Sequence, residues 1–428
     1  MNAALRRGAC PGLSAPMQTG DGLLVRLRPV GTIRLAMLAK LCAAARKFGN
    51  GIVEITARGN IQVRGLDAAS APLFAAAVGA LGIAAEDGVA VHANPLTGLD
   101  PGEILDAGNL AADLRRALAE RALGEMLAPK ISVAIDGGGA LNLDRLAADV
   151  RLRADLIKGA ALLRISLGGD RTSATHLGLV APADGVEVAT RLLEIIARRG
   201  ADARARDVLA AEGIAPFSAT LADLLLTSAT ASGHDGVGSG REAIGLHRLR
   251  DGSLACGVGL GFGHTDARVL ELLIEAAADA GANGIRPAPG RALIAIGLSD
   301  EAATAFVTDA GRLGFIVRAD DPRRYLIACA GAPVCASAHI AARAMAPRVA
   351  ADCARYLGGS FTIHISGCGK GCAHPMPAAL TVVGLPDGCG VVADGSVKDA
   401  PFAVVATDEL PAAIAGYARE LTGEDGHV

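Results

Sequence analysis

Cys329 and Cys335 stand either side of Ala330-Gly331-Ala332-Pro333-Val334, and Cys368 and Cys372 either side of Gly369-Lys370-Gly371. Four thiolates in two short pairs meet the need of a cubane cluster for one sulfur per iron, so the spacing predicts a [4Fe–4S] site in the C-terminal quarter of the chain. Small residues inside both loops suit such a group, because Gly and Ala let backbone N–H groups approach the inorganic sulfides. Structural zinc is the main rival, but its cysteine pairs are commonly separated by about two to four residues and the first loop here is wider. Burial is the third reading, and it is the one taken for Cys42, Cys256, Cys353 and Cys389, which with Cys10 lie outside the pattern.

The elements that hold these loops belong to a chain of 428 residues, long enough for three or four units of about 100–150 residues each. A net charge of −3 and only 3% aromatic residues, with no Trp, give neither the basic field nor the stacking surfaces of a nucleic-acid binder. Any anion site must be built locally. Arg6 and Arg7 are followed by Gly, Cys and Pro in place of an apolar run, so no secretion signal is expected and the cytoplasm is the expected compartment. Nine cysteines in a reducing compartment point to metal binding, catalysis or burial and not to disulfides. Residues 68–85 are uncharged and near the ~18-residue length of a membrane span. Pro72 and the Ala/Gly content predict a packing helix there instead.

The chain repeats itself. Residues 51–66 line up with 283–298, each block preceded by an apolar run opened by Asp-Gly (Asp21-Gly22 and Asp251-Gly252) and by a stretch of helical spacing (33–48 and 267–280). A second helical stretch follows each block, 70–81 and 302–313, so the unit reads strand–helix–hairpin–helix, a small α+β module. Residues 131–139 match 361–369 at nearly the same offset, about 230 residues, which makes both matches parts of one duplication. Gly138 stands where the second half has Cys368, and 94–100 stands where it has 329–335, so the cluster is expected once.

With the two cysteine pairs, the duplicated plan, the hairpin Thr56-Ala57-Arg58-Gly59-Asn60-Ile61-Gln62-Val63-Arg64-Gly65 and the run Asn94-Pro95-Leu96-Thr97-Gly98-Leu99-Asp100, nearly the whole chain resembles the sirohaem-dependent sulfite and nitrite reductase family. The resemblance implies an α+β fold of a duplicated unit, a ferredoxin-like half-module plus an α/β domain, related by a pseudo-two-fold axis. The expected units are 1–90, 91–226, a linker at 227–241 rich in Gly, Ser, Thr and Ala, 242–317, and a cluster domain at 318–428. In that family the residue matching Cys372 bridges to a sirohaem iron, which implies a tetrapyrrole pressed against the cluster.

Two departures bear on the activity. The reductases hold their small anion with an Arg in an Asp-x-x-Arg-Asn run and two Lys in an Arg-Lys-x-Lys run. Here the first reads Asp87-Gly88-Val89-Ala90-Val91-His92 and the second Pro129-Lys130-Ile131-Ser132, so the Arg and one Lys are missing. Each missing donor would be worth about 3 kcal/mol to a developing oxyanion, which disfavours sulfite or nitrite reduction. The run 6–12, the glycine-rich stretch 257–265 and Gly367 to Pro375 instead look like the branch of the family that oxygenates precorrin-3A to precorrin-3B in aerobic cobalamin biosynthesis, hydroxylating C20 with closure of a lactone. The pocket that holds sirohaem elsewhere would then hold the substrate. A sirohaem-dependent reductase and a non-enzymatic iron–sulfur or tetrapyrrole-binding protein remain as alternatives.

A precorrin is a polycarboxylate, and Arg suits carboxylates through its bidentate fork. Arg26 and Arg28 share one strand face, and Gln62 and Arg64 another. With Arg58, Asn60, Lys130, Arg286, Arg291 and Lys370 they make the expected substrate-binding set, although a solvated sheet face is the plain alternative for any one of them. Oxygen insertion needs electrons delivered singly, and a fully thiolate-ligated cluster does not readily activate O2, so the resemblance implies a mononuclear non-haem iron besides. His364 and His374 are its candidate ligands, with His92, His264 and His339 as further histidines near the loops. Residues 257–263 offer no G-x-G-x-x-G register ahead of a helix, so NADH is expected to be only the ultimate electron source, acting through a separate reductase or ferredoxin.

Overall fold

The computed structural model describes residues 11–226 and 241–423, apart from 360 and 375. Cys10 and 227–240 of the expected linker lie outside the described residues.

In the first module, two-residue alternation sorts the hairpin. Val53, Ile55, Ile61 and Val63 point to one side and are buried, while Glu54, Gln62 and Arg64 point to the other. Helix Leu35–Phe48 covers the apolar side with Leu38, Leu41, Cys42 and Ala45, the i, i+3, i+4, i+7 spacing of one helical stripe. Arg46 and Lys47 occupy its last turn, where cations oppose the helix dipole. Strand Gly22–Leu27 and helix Ser70–Gly79 complete the strand–helix–hairpin–helix order read from the sequence. The second module repeats it in Leu254–Gly259, Ala267–Asp279, Gly284–Ala288, Ala292–Leu298 and Asp300–Arg312. No helix among the described residues is long and apolar enough to cross a membrane.

The modules interlock. Ile33, just before the first helix, exchanges two 2.9 Å backbone hydrogen bonds with Ile285 in the second module's hairpin. Reciprocally, strand His264–Asp266, just before the helix of the second module, pairs antiparallel with Ile52–Ile55, Thr265 opposite Val53. The two cores fuse as a result: Leu38, Val53 and Val63 pack in one cluster with Leu270, Ile285 and Leu293.

Each half also carries a five-stranded sheet of one topology. In the first, Ala90–Ala93, Ser132–Asp136 and Ala148–Ile157 run parallel and Ala160–Gly169 and Thr175–Val180 follow antiparallel. In the second, Leu326–Ala328, Ile363–Ser366 and Ala378–Leu385 run parallel, followed by Gly388–Gly395 and Ala403–Val405 antiparallel. Helices Ala107–Glu120 and Ala342–Asp352 make the crossover between the first two strands of each. The fold is thus α+β and duplicated.

Candidate functional site: the cysteine loops and the polar sheet face

Cys329 directly follows strand Leu326–Ala328, and Cys368 lies just beyond Ile363–Ser366. These are neighbouring parallel strands, so both loops leave the same edge of the sheet, the usual place for a ligand in a parallel sheet. The loops are stitched together: Gly367 N–H donates to Cys329 Sγ at 3.0 Å, and His339 N–H donates to the Gly367 carbonyl at 2.7 Å. A turn of the first module closes the other side, where Ala336 N–H donates to the Gly20 carbonyl at 2.8 Å. Gly20 packs so tightly against Cys335 that a Cβ there would overlap the sulfur. Burial pushes the Cys329 thiol up against the hydrogen bonds from Gly367 and Gly331, with Cys335 and Cys368 adding to the rise. Desolvation raises Cys372 as well, helped by Cys368 and Cys329 and opposed by Arg64. Cys329 and Cys372 thus both feel neighbouring cysteines, a situation a shared cationic group would relieve. Among the described residues no three Cys, His, Asp or Glu side chains are gathered around a point that could hold one metal ion. The donor set, the mutual influence and the backbone N–H aimed at sulfur fit a four-cysteine cluster.

The first half shows why its counterpart is different. Asn94, at the equivalent strand end, donates to Asp136 Oδ1 at 2.9 Å and to the carbonyls of Leu141 and Gly138, and accepts from Gly137 N–H at 2.6 Å. Asp136 also accepts from Gly138 and Leu143 N–H groups, and Asp100 accepts from Ala140 N–H. Side chains that satisfy one another fill the space between the loops that the cysteines flank in the second half.

Facing the cysteine loops is the polar side of the first module's sheet. Strand register sets Arg26, Gln62, Glu54 and His264 side by side in one row across four strands. Arg26 Nε donates to Gln62 Oε1 at 2.8 Å, and Gln62 Nε2 donates to Glu54 Oε2 at 2.6 Å. Arg64 grips Asp21 with two hydrogen bonds, 2.8 and 2.6 Å, and stands 3.5 Å from Glu54. Burial alone would raise Asp21 and lower Arg64; their pairing outweighs it, so Asp21 is held low and Arg64 high. His264 is pushed down to about 3 by burial and by Arg343 and Arg64. In the second module the same face is apolar: Ala288, Ala292, Ile294 and Ile296 pack against Leu96 and Leu141 of the first half. One copy of the face is a packing surface and the other keeps its charges.

The residues predicted to bind carboxylates fall into groups. Arg26, Arg28 and Lys130 line a cleft of about 710 Å³ together with Asp87, Gly88 and Arg204. Arg58 reaches the same region, with Nη1 3.3 Å from His92 Nε2 and Nη2 donating to the Ala147 carbonyl at 2.9 Å. His92 is pushed down to about 3 by burial and by Arg58, Arg28 and Arg115. Arg64, Arg291 and Lys370 lie on the cysteine side, Lys370 donating to Ser337 Oγ at 2.8 Å. Gln62 connects the two groups through Arg26 and Glu54, and Asn60 is buried in the hairpin turn beside Thr56, whose hydroxyl accepts from its N–H. Arg286 is not gathered with them. It donates to Thr32 Oγ1 at 2.7 Å and to the Pro95 and Thr97 carbonyls at 3.1 Å, clamping the first-half loop 94–97.

His364 and His374 do come together, ring centroids 5.6 Å apart and edge to face. His364 is fully buried, neither ring nitrogen has a hydrogen-bond partner among the described residues, and burial, His374 and Arg291 push it down to about 4. Cys42, Cys256, Cys353 and Cys389 are buried. Glu54 and Arg343 are not among the residues expected from the sequence, and His264 is there only as a further histidine near the loops, yet all three stand on the polar face. Glu54 could have been found there, since alternation places it with Gln62 and Arg64.

The family profile for the nitrite/sulfite reductase ferredoxin-like half domain matches residues 15–81. A precorrin-3B synthase from Sinorhizobium sp is 41% identical over 419 residues, covering 97% of this chain and 89% of that protein. The chain belongs to the precorrin-3B synthase family. A sulfite reductase [ferredoxin] 2 of Mycolicibacterium paratuberculosis is 29% identical over a shorter stretch, 36% of this chain and 29% of its own. The solved structure of Mycobacterium tuberculosis NirA protein superposes with a TM-score of 0.74 at 21% identity, covering 95% of this chain and 82% of that one, which shows a shared fold. The precorrin-3B synthase family therefore uses the nitrite/sulfite reductase scaffold, with both halves present in this chain.

Proposed function

We propose that this chain converts precorrin-3A to precorrin-3B in the cytoplasm. One atom of O2 enters at C20 as a lactone with the ring-A acetate is formed, and the other atom leaves as water with two electrons and two protons. The carrying observation is the 41% identity, over 97% of the chain, to a precorrin-3B synthase. The site supports it. Arg26, Arg28 and Lys130 in the 710 Å³ cleft, which Glu86, Asp87, Glu125 and Asp202 also line, and Arg58 beside His92 offer cations to a polycarboxylate macrocycle. Arg64, Arg291 and Lys370, with Gln62 and Asn60, extend that recognition toward the cysteines.

Cys329, Cys335, Cys368 and Cys372 would hold a [4Fe–4S] cluster; His364 and His374 would give a mononuclear non-haem iron two of its ligands, with no third Cys, His, Asp or Glu gathered beside them among the described residues. Bound there, these groups supply single-electron transfer and O2 activation. The chain's own residues bind and orient the macrocycle; His364, held neutral by burial, keeps both ring nitrogens without partners among the described residues. Electrons come from NADH through a separate reductase or ferredoxin.

The deciding experiment gives anaerobically purified, iron-reconstituted protein precorrin-3A, a chemical or ferredoxin donor, and 18O-labelled dioxygen. One labelled oxygen in the product, with stoichiometric O2 uptake, is expected. Binding without O2 uptake would make the chain a carrier, and sirohaem in the purified protein with sulfite or nitrite turnover would make it a reductase; either defeats the proposal.

A further inference from the structure

Helix Ala342–Asp352 begins where the first cysteine loop ends, and its first turn carries Arg343 back toward the polar face. The guanidinium Nη2 stands 3.8 Å from Glu54 Oε1, beyond hydrogen-bonding distance. Nε and Nη2 are shielded from solvent and have no hydrogen-bond partner among the described residues. The side chain as a whole is half-buried, 21% exposed, but a shielded guanidinium edge with unpaired N–H groups is unfavourable unless an anion meets it.

The carboxylates nearby do not suffice. Arg64 takes Asp21 by a two-bond fork, and Glu54 is shared between Gln62, Arg64 and Arg343. Arg291 also feels Glu54 and has burial working against its charge. Among the described residues three guanidinium groups, those of Arg64, Arg291 and Arg343, thus share two carboxylates beside the cysteine loops, one negative partner too few. Ala342, the residue before Arg343, packs directly against Gly331 inside the first cysteine loop, which places the Arg343 charge beside Cys329, and Arg64 opposes the rise of Cys372 in the same way. A four-thiolate [4Fe–4S] cluster is dianionic when oxidised and trianionic when reduced.

We propose that Arg343 is the counter-cation of the cluster, a positioning residue that sets its reduction potential. The proposal rests on the cluster reading above. A fixed positive charge stabilises the more negative, reduced state more than the oxidised one, so Arg343 raises the potential and makes the cluster easier for a donor to reduce.

The test is an EPR-monitored redox titration of the full-length chain, with iron and acid-labile sulfide measured on the same samples. In R343Q the iron and sulfide content stays at the wild-type level and the midpoint potential becomes more negative. R343K, which keeps the charge, returns the midpoint toward the wild-type value, and E54Q, which removes a negative charge, moves it the opposite way from R343Q. An unchanged midpoint in cluster-loaded R343Q overturns the proposal, and so does an unchanged midpoint with a raised KM for precorrin-3A, which would make Arg343 a substrate anchor. Should R343Q lose the cluster, R343K decides: a loaded cluster with near-wild-type potential supports a charge role, and loss in R343K as well makes the role one of shape. Wild-type protein lacking iron and sulfide after reconstitution sinks the cluster reading itself, before any variant is compared.

Discussion

Gly20 and Cys335 are in contact across the boundary between the first module and the cysteine loops, so close that no side chain fits between them. The neighbouring hydrogen bond from Ala336 N–H to the Gly20 carbonyl, 2.8 Å, fixes that approach. G20A forces a methyl group into the sulfur's space. Cluster iron and sulfide are expected to fall sharply while far-UV circular dichroism stays that of the wild type. A fully loaded G20A protein would show that the turn does not bound the cluster.

The Asn94–Asp136 network predicts the reverse pattern. N94A removes three donated bonds and the acceptor for Gly137 N–H in a buried position, which should cost about 1–3 kcal/mol in urea unfolding. Iron content should not change, because the network stands in the half without the cysteines. Loss of iron in N94A would contradict the separation of the two sites.

Lys130 and Arg286 should part company in kinetics. K130A removes a cation from the cleft and is expected to raise the KM for precorrin-3A several-fold with unaltered thermal stability. R286A frees loop 94–97 and should lower the unfolding temperature while leaving KM unchanged, since its guanidinium is occupied by Thr32, Pro95 and Thr97. Equal effects of the two variants on KM would put Arg286 back among the substrate ligands.

His92 gives the fold an acid-side weakness. Its folded pKa is pushed down to about 3 from the ordinary 6.5, chiefly by burial, so below about pH 6.5 the unfolded chain binds a proton that the native chain does not. Stability contributed by neutral His92 is complete above that pH and is lost as the pH falls toward 3. The slope is at most about 1.4 kcal/mol per pH unit for one group. Urea unfolding followed between neutral pH and about pH 4 should therefore show a shallower pH dependence in H92Q than in the wild type. His264 and His364, pushed down to about 3 and about 4, keep part of the slope in the variant. Parallel curves for the two proteins would show that His92 already titrates normally in the fold.

Much of this was readable in the chain because it is periodic. Two-residue alternation in 52–66 and the helical stripe of Leu38, Leu41, Cys42 and Ala45 are local patterns, and the duplication shows as a constant offset. The exchange that places His264–Asp266 beside Ile52–Ile55 leaves no such trace, since it depends on how two modules meet. From the sequence Arg286 groups with the other cations because it lies in the hairpin that repeats 51–66. The partners that decide its role, Thr32 and the carbonyls of Pro95 and Thr97, come from far away in sequence. Arg343 carried no spacing signal, for its significance lies in partners it lacks.

The reciprocal pairing of Ile33 with Ile285 and of Thr265 with Val53 makes the two halves behave as a heterodimer tied into one chain. Severed, each half would bare two unpaired backbone edges and half of a shared apolar core, so neither should persist alone, while the two together should reassociate by fragment complementation. That mutual dependence also lets the halves diverge: once each is held by the other, one copy is free to lose its chemistry and serve as scaffold for its twin.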